Sequence, residues 1–167
     1  MESNAINELG QLFEQEAGAL VLYARQWLEC HAAEDAVQDA FIDLVNCRRP
    51  PPHPKPWLYR AVRYRALKSL RTDRRRGRRE ARVTEEAESL IEGGPADAID
   101  AHEAGQALAG LPPEDREIIT LRIWGGLTLD QIAGITESSV ATVFRRYRAG
   151  LDQLRQRLEP TCKTSPH

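Results

Sequence analysis

The sequence predicts an all-α protein made of two small helical domains joined by an acidic linker. Apolar residues recur close to the 3.6-residue helical period through most of the chain, and no segment shows the period of two that is typical of a strand. The stretch "VTEEAESLIEGGPADAID" is acidic, contains Gly-Gly-Pro and offers few apolar anchors, which is typical of a linker. We expect a first domain at 1–80, the linker at 81–103, a second domain at 104–160 and a tail at 161–167.

The composition is that of an ordinary folded protein. Hydrophobic residues make up 41% of the 167 residues and charged residues 29%, so the chain can bury helical faces and is not a disordered protein. No apolar run reaches the roughly 20 residues that span a bilayer, and the N-terminus lacks the basic and apolar regions of a signal peptide. We expect a cytoplasmic protein without membrane insertion. The three cysteines have unrelated spacings, which makes a disulfide framework improbable.

The net charge of -2 hides a strong segregation of charge along the chain. The formal charge is -8 over residues 1–47, +12 over 48–82, -7 over 83–110 and +1 over 111–167. Because charges are screened beyond a Debye length of about 8 Å, the local cluster matters more than the total. The basic segment therefore remains a candidate for nucleic-acid binding despite the acidic sum.

The first half predicts three helices. One covers residues 6–29, and a second lies in "AEDAVQDAFIDLV", with acidic residues on its outer face and an apolar face formed by Val37, Phe41, Leu44 and Val45. The proline-rich "CRRPPPHPKP" predicts a stiff loop, because proline removes a donor and restricts the preceding residue. Helix resumes at Trp57, with basic residues around an apolar stripe, and is expected to fray between Arg74 and Gly77.

The second half predicts a short helix followed by three well-bounded ones. "LPPEDREIITLRIWGG" has Pro-Pro and acids at its start, Ile118, Ile119 and Ile123 on one face, and Gly-Gly at its end. "LTLDQIAGI" opens with Thr128 and Gln131 at capping-box spacing. A longer helix, "VATVFRRYRAGLDQLRQRL", follows the turn "TESS".

A short helix, a tight turn and a longer helix form the pattern of a helix-turn-helix, whose second helix enters the major groove. We expect Val140 and Val143 to hold the two helices together. The polar residues that can face DNA are Ser138, Ser139, Thr142, Arg145 and Arg146. From the pattern alone, the alternative is a helical hairpin with a solvated basic face.

The order of these segments adds to this interpretation. "AEDAVQDAFIDLV", "WLYRAVRYRALKSLRTDRRR", the acidic linker and "LPPEDREIITLRIWGGLTLDQIAGITESSVATVFRRYRAGLDQL" together resemble regions 2 and 4 of the sigma-70 family. The resemblance covers residues 5–80 and 100–158. The two-domain layout and the short length look like the extracytoplasmic-function (ECF) branch of that family.

The resemblance implies a bacterial transcription initiation factor without chemistry or a cofactor of its own. It implies binding to the clamp and flap of core RNA polymerase, recognition of the -10 and -35 promoter elements, and help in opening the DNA. An anti-sigma factor is a further partner that ECF proteins commonly have. By position, the resemblance assigns polymerase clamp binding to Asp35, Gln38, Asp39 and Phe41.

By the same resemblance, the basic helix lies against the -10 element and the recognition helix against the -35 element. The -10 residues are Arg60, Arg63, Tyr64, Arg65, Lys68 and Arg71, and the -35 residues are Ser138, Ser139, Thr142, Arg145 and Arg146. Aromatic side chains stack on unpaired bases for about 1 to 3 kcal/mol each. Tyr59 or Tyr64 is the candidate for such stacking, whereas Trp57 is expected in the core.

The sequence departs from the family pattern at several positions. Tyr64 stands where Asn often follows Arg, and Lys68 stands where an acid is common, so base preference at -10 is open. Glu137 replaces the usual turn glycine, which costs about 1 to 2 kcal/mol if the residue is left-handed, unless the turn is rebuilt. Phe144 replaces a common polar residue and contacts either a thymine methyl group or a neighbouring domain.

Other readings of the sequence are less favoured. Cys30, His31, Cys47 and His53 lack the paired C-x-x-C of structural zinc sites, so we expect no metal. No Ser-His-Asp arrangement, phosphate-binding loop or nucleotide motif indicates an enzyme. A stand-alone helix-turn-helix regulator, with a dimerisation or sensor module as its first domain, is the main alternative. An interaction protein with a solvated basic helix is a further one.

Overall fold

The computed structural model describes residues 2–75 and 104–158, with side chains for Asn7–Arg74 and for 104–158. Within these ranges the regular structure is helical and contains no strand, as the sequence predicts. The described residues fall into two compact units, one within Met1–Val83 and one within Thr84–His167. The predicted linker and tail lie outside the described residues. We describe each unit separately.

The N-terminal unit is a three-helix bundle. Its helices are α1 (Glu2–Ala24), α2 (Cys30–Val45) and α3 (Pro54–Arg75), and each packs on the other two. α3 begins at Pro54, three residues earlier than predicted, because prolines are tolerated in the first helical turn, where the backbone N–H groups lack intrahelical partners anyway. The helix continues through Arg75, so the expected fraying toward Gly77 falls outside the described residues.

The core of this unit comes from one face of each helix. Its fully buried side chains include Leu20 and Tyr23 of α1, Val37 of α2, and Leu58 and Val62 of α3. Complete burial of such side chains stabilises the fold by about 1.5 to 3 kcal/mol each.

The C-terminal unit is built around α5. Residues 104–109 are helical (α4), followed by α5 (Pro113–Ile123), α6 (Leu129–Thr136) and α7 (Val140–Leu158). α5, α6 and α7 pack pairwise. At the C-terminal end of α7, the Arg157 guanidinium donates a hydrogen bond of 2.8 Å to the Gly110 carbonyl, which ties this helix to the turn after α4.

Both predicted boundaries of α5 are confirmed. Pro113 is the first helical residue, and acids fill the first turn. At the other end Gly126 is left-handed, with φ of 60°. A Cβ on Gly125 would lie 2.5 Å from the Leu121 carbonyl oxygen, so the chain can turn away there only with glycine.

Three predicted core residues are exposed instead. Val45 is the last residue of α2, Ile123 the last of α5 and Val140 the first of α7, and all three are largely accessible to solvent. Each stands at an end of its helix, where neighbouring helices cover a side chain less than in the middle. Leu121, which the predicted face of α5 omitted, is fully buried.

Candidate DNA and polymerase interfaces

The outer side of α3 carries most of the residues predicted to contact the -10 element. Arg60, Lys68 and Arg71 are exposed along the helix, and Arg63 is half-buried. Tyr64 is the most accessible large apolar side chain of the described residues, with 66% of its surface exposed. The basic face therefore has one aromatic ring in reach of a ligand.

Tyr59 is not available for stacking on a base. Its side chain is 1% exposed, and its ring packs at a tilt on that of Tyr23, with centroids 5.4 Å apart. Burial, reinforced by the neighbouring Glu16 carboxylate, raises the pKa of Tyr59 above its usual value. Trp57 is half-buried rather than fully in the core. Of the two predicted stacking candidates, only Tyr64 remains.

An ion pair with a buried carboxylate fixes the start of α3. The Lys55 ammonium lies 2.7 Å from Oε1 of Glu16, whose side chain on α1 is nearly inaccessible to solvent. A buried carboxylate without a partner costs several kcal/mol, so this pair holds the first turn of α3 against α1. It thereby sets the position at which the proline-rich loop joins the basic helix.

Arg65 connects α3 to α2. Its guanidinium lies 3.5 Å from Oδ2 of Asp39 and makes a close ion pair and hydrogen bond with Oδ2 of Asp43. The sequence resemblance assigns Arg65 to DNA and Asp39 to polymerase. In this structure the two are paired with each other, at the edge of a groove between the helices that Asp35 and Lys68 also line.

The remaining predicted polymerase residues divide between two sides of α2. Asp35 and Gln38 are exposed, as a docking surface requires. Phe41 is buried and meets the Phe13 ring edge to face at 4.9 Å, so it supports the helix from below. The exposed side also carries Ile42 and Val45, neither of which was predicted to be part of this surface.

In the C-terminal unit, α6 and α7 form the predicted helix-turn-helix. The capping box of α6 is confirmed: the Gln131 N–H donates to Oγ1 of Thr128 at 3.2 Å, and the Thr128 N–H donates to Oε1 of Gln131 at 3.0 Å. After α6 the chain turns at Glu137, with φ of 55° and ψ of 38°. The Ser138 N–H donates to the Ala133 carbonyl at 3.0 Å and closes the turn. The turn is not rebuilt, and Glu137 adopts the left-handed conformation.

Two residues predicted to contact DNA also cap the recognition helix. The Ser139 hydroxyl accepts the Thr142 N–H at 3.1 Å and donates to Oγ1 of Thr142 at 2.9 Å. Such a cap stabilises a helix by about 1 kcal/mol. Ser139 and Thr142 therefore have a structural role whatever else they contact. Ser138 is half-buried, and its hydroxyl donates to the Thr136 carbonyl at 3.4 Å.

The two adjacent arginines of α7 point in different directions. Arg145 is exposed, and the described residues provide no ion-pair partner for it. Arg146 turns to α5, with its guanidinium 3.6 Å from Oε2 of Glu114 and 3.7 Å from Oδ1 of Asp115. Burial raises the pKa of Asp115, an effect that Arg146 opposes and Glu114 reinforces. Arg146 thus holds the recognition helix on α5.

Other residues of the structure bear on a metal site and on a membrane span. Cys30 and Cys47 are free thiols. Across residues 2–75 and 104–158, no cluster of three or more His, Cys, Asp or Glu side chains has the arrangement of a metal site. Within the same residues, no helix is both long and apolar enough to cross a membrane.

Two family models match the chain in sequence order. The sigma-70 region 2 family matches residues 12–76, which contain the basic helix, and the sigma-70 region 4 family matches residues 101–154, which contain the helix-turn-helix. The chain belongs to the sigma-70 family. It is a sigma factor of RNA polymerase and acts in transcription initiation, as the sequence resemblance implied.

Two solved structures share this fold. The sigma factor RpoE of Bartonella quintana, in complex with the anti-sigma factor NepR, superposes with a TM-score of 0.69 and 20% identity, covering 91% of this chain and 97% of that one. CnrH, in complex with the cytosolic domain of CnrY, has a TM-score of 0.60 and 22% identity, covering 91% of this chain and 88% of that one. No match to a curated protein sequence was found.

Proposed function

We propose that this sigma factor is an initiation factor of the ECF type that binds core polymerase, recognises the -10 and -35 elements and helps to open the DNA. The observation that carries the proposal is the pairing of a cationic region 2 helix with a region 4 helix-turn-helix in one chain. The proposed domains are residues 1–80 for polymerase and the -10 element and 104–160 for the -35 element, joined by 81–103 and followed by the tail 161–167.

At the -10 element, α3 supplies cations for phosphates and one aromatic ring for an unpaired base. Arg60, Lys68 and Arg71 can follow the backbone, while Tyr64 stacks. Stacking of about 1 to 3 kcal/mol offsets the few kcal/mol needed to extrude a base. Separation of the DNA strands is therefore favoured only where one strand contacts both the Tyr64 ring and the cations of α3.

The proposed polymerase surface is the outer side of α2. Asp35, Gln38 and Asp39 are exposed there, beside the accessible Ile42. An acidic rim around apolar side chains suits a basic partner, because opposite charge speeds association while apolar contact slows release. Phe41 contributes from below by keeping the helix in place.

The decisive experiment is transcription by reconstituted holoenzyme. Core polymerase incubated with this chain should initiate at specific sites of a random promoter library, and core polymerase alone should not. Specific DNA binding that needs no polymerase, and no transcription when polymerase is added, would instead identify a stand-alone regulator. If the chain neither directs transcription by polymerase nor binds DNA specifically, the proposal is contradicted.

The polymerase surface is tested separately with Asp35→Asn, which removes a charge without touching an ion pair of Arg65. This variant should bind core polymerase more weakly than the wild-type chain. Glu14→Gln, at another exposed acid, on α1, is the matched control and should bind normally. Equal losses in both would indicate a non-specific effect of charge.

Three further features belong to the same proposal. The factor works in the cytoplasm, where bacterial polymerase is found. It catalyses no reaction of its own, because polymerase forms the bonds of the RNA chain. An anti-sigma factor is a proposed partner, since RpoE was solved with the anti-sigma factor NepR and CnrH with the cytosolic domain of CnrY. Co-purification of the chain with a protein that blocks transcription by the holoenzyme would identify such a partner.

A further inference from the structure

Phe144 is an exposed aromatic residue on the recognition helix. It lies in the second turn of α7, with 49% of its surface accessible. Val140 and Arg148 are four residues before and after it, so the three form one row along the helix. The Arg148 guanidinium carbon lies 5.9 Å from the centre of the Phe144 ring, within cation–π range.

This row is accessible to solvent, because its three residues are all exposed. Arg146 and Gly150 contact α5 on one side of α7, and Phe144 is two residues before Arg146, or about 200° around the helix. Arg145 is exposed next to it. The ring lies about 100° around the helix from this arginine, which is predicted to reach DNA, and both side chains are accessible to a ligand.

Two kinds of ligand could cover an exposed ring at this place, a protein surface or a thymine methyl group. Aromatic residues and arginine are enriched in protein interfaces as well, so the flanking Arg145 and Arg148 do not decide between the two ligands. Protein–DNA interfaces are strongly cationic, and in the major groove apolar side chains contact the C5-methyl group of thymine. Phe144 lies near the start of the second helix of a helix-turn-helix, the part that faces base edges, and this position favours DNA.

We infer that Phe144 reads a thymine methyl group in the -35 element, while Arg148 orients the ring and neutralises a nearby phosphate. The inference rests on the proposed -35 function and adds the base that the helix distinguishes. Phe144 becomes a specificity-determining residue, because a methyl group is the only apolar feature that separates thymine from the other bases in the major groove.

The test replaces thymine by uracil, which removes the methyl group and keeps the base pair. Duplexes carrying the -35 element selected by holoenzyme are prepared with each thymine replaced in turn, and their binding to the full chain and to holoenzyme is measured. At one position the wild-type protein should bind uracil roughly fourfold more weakly, the effect of losing one buried methyl group. Uracil at the other positions should have little effect.

Variants then connect this preference to Phe144. Phe144→Ala should bind the thymine and uracil duplexes equally, and Phe144→Leu should retain part of the preference. Ile123→Ala removes an equally exposed apolar side chain from α5 and should keep the full preference. Unchanged thermal unfolding of the Phe144 variants shows that the unit is intact.

Each other outcome overturns the inference. A selected element without thymine, no uracil effect, or a uracil effect that persists in Phe144→Ala would show that the ring does not read a methyl group. Loss of binding to another protein in Phe144→Ala, with DNA preference unchanged, would assign the ring to protein docking. If neither holoenzyme nor the free chain binds any -35 duplex, the proposed function fails, and this inference fails with it.

Discussion

Arg65 in the N-terminal unit and Arg146 in the C-terminal unit lie on the two helices proposed to bind DNA, and both are paired with carboxylates. The arginines are similarly accessible, with 30% and 37% of their side chains exposed. Their partners differ. Asp39 and Asp43 are 58% and 53% exposed, whereas Asp115 is 10% exposed, although its neighbour Glu114 is open to solvent.

The difference shows how the partner's burial determines what an arginine can do. Exposed ion pairs are worth about 0 to 1 kcal/mol, so Arg65 can exchange Asp39 and Asp43 for a phosphate at little cost. Removing the partner of a buried carboxylate is much more costly, so Arg146 is held in place. In the N-terminal unit Arg65 is therefore available to a phosphate, whereas in the C-terminal unit Arg146 stabilises the packing of α7 on α5.

The largest expected effect concerns Arg145, the exposed neighbour of Arg146. Arg145→Ala should weaken binding to the selected -35 duplex by about 1 to 3 kcal/mol at one base position, and leave unfolding unchanged. Fluorescence anisotropy with single-base variants of the duplex measures this. A uniform loss across all sequences would make Arg145 a phosphate contact, and no loss would remove it from the interface.

Arg146→Ala should instead destabilise the C-terminal unit by about 1 to 2 kcal/mol, because Asp115 loses its cation. Urea unfolding followed by circular dichroism gives this value. Arg155→Ala is the matched control on the same helix, since Arg155 pairs with the exposed Asp152 and should cost less than about 0.5 kcal/mol. If Arg146→Ala is fully stable but has lost DNA affinity, Arg146 contacts DNA and does not hold α7 on α5.

A smaller effect is expected when Arg65 is released. The double change Asp39→Asn and Asp43→Asn should cost less than about 1 kcal/mol of stability. It should tighten binding of the free chain to single-stranded -10 DNA and steepen its salt dependence by about 0.7 in the log–log slope for each added phosphate contact. Adding Arg65→Ala should cancel the gain, and a gain that persists would reflect the general field of the helix.

The smallest effect is a pH dependence that follows from the raised pKa of Asp115. The native state binds this proton more tightly than the unfolded chain does, so ionisation destabilises the fold. Relative to Asp115→Asn, wild-type stability should fall as the pH rises from the ordinary value of 3.8 through the raised pKa, and then stay constant. Parallel urea titrations of the two proteins measure it, and a constant difference would show that burial does not affect this carboxyl group.

The helices and their caps could be predicted from sequence because they depend on neighbouring residues. The spacing of Thr128 and Gln131 and the Gly-Gly pair after α5 are local signals. Exposed ends such as Ile123 and Val140 were missed because periodicity gives the direction of a side chain and not the length of the helix opposite it. Tyr59 and Phe41 are buried although the resemblance made them candidates for contact with a base and with polymerase, because a resemblance assigns roles by position in the chain and does not give burial.

Pairing between distant residues could not be predicted either. Arg65 and Asp43 are 22 positions apart, and only the packing of α3 on α2 brings them together. In the sequence, Arg145 and Arg146 are equivalent neighbours, but about 100° of helical rotation turns one to solvent and the other to Asp115. The chemical type of a site residue was accessible from sequence, whereas its partner was not.

The left-handed Glu137 has a genetic consequence. Glycine at this turn would relieve about 1 kcal/mol of backbone strain, after its greater loss of chain entropy is counted. Both glutamate codons become glycine codons through one transition at the second base. Random mutagenesis will therefore reach Glu137→Gly in a single step, and a selection for heat resistance should recover it early. The C-terminal unit is one base change away from a more stable form of itself.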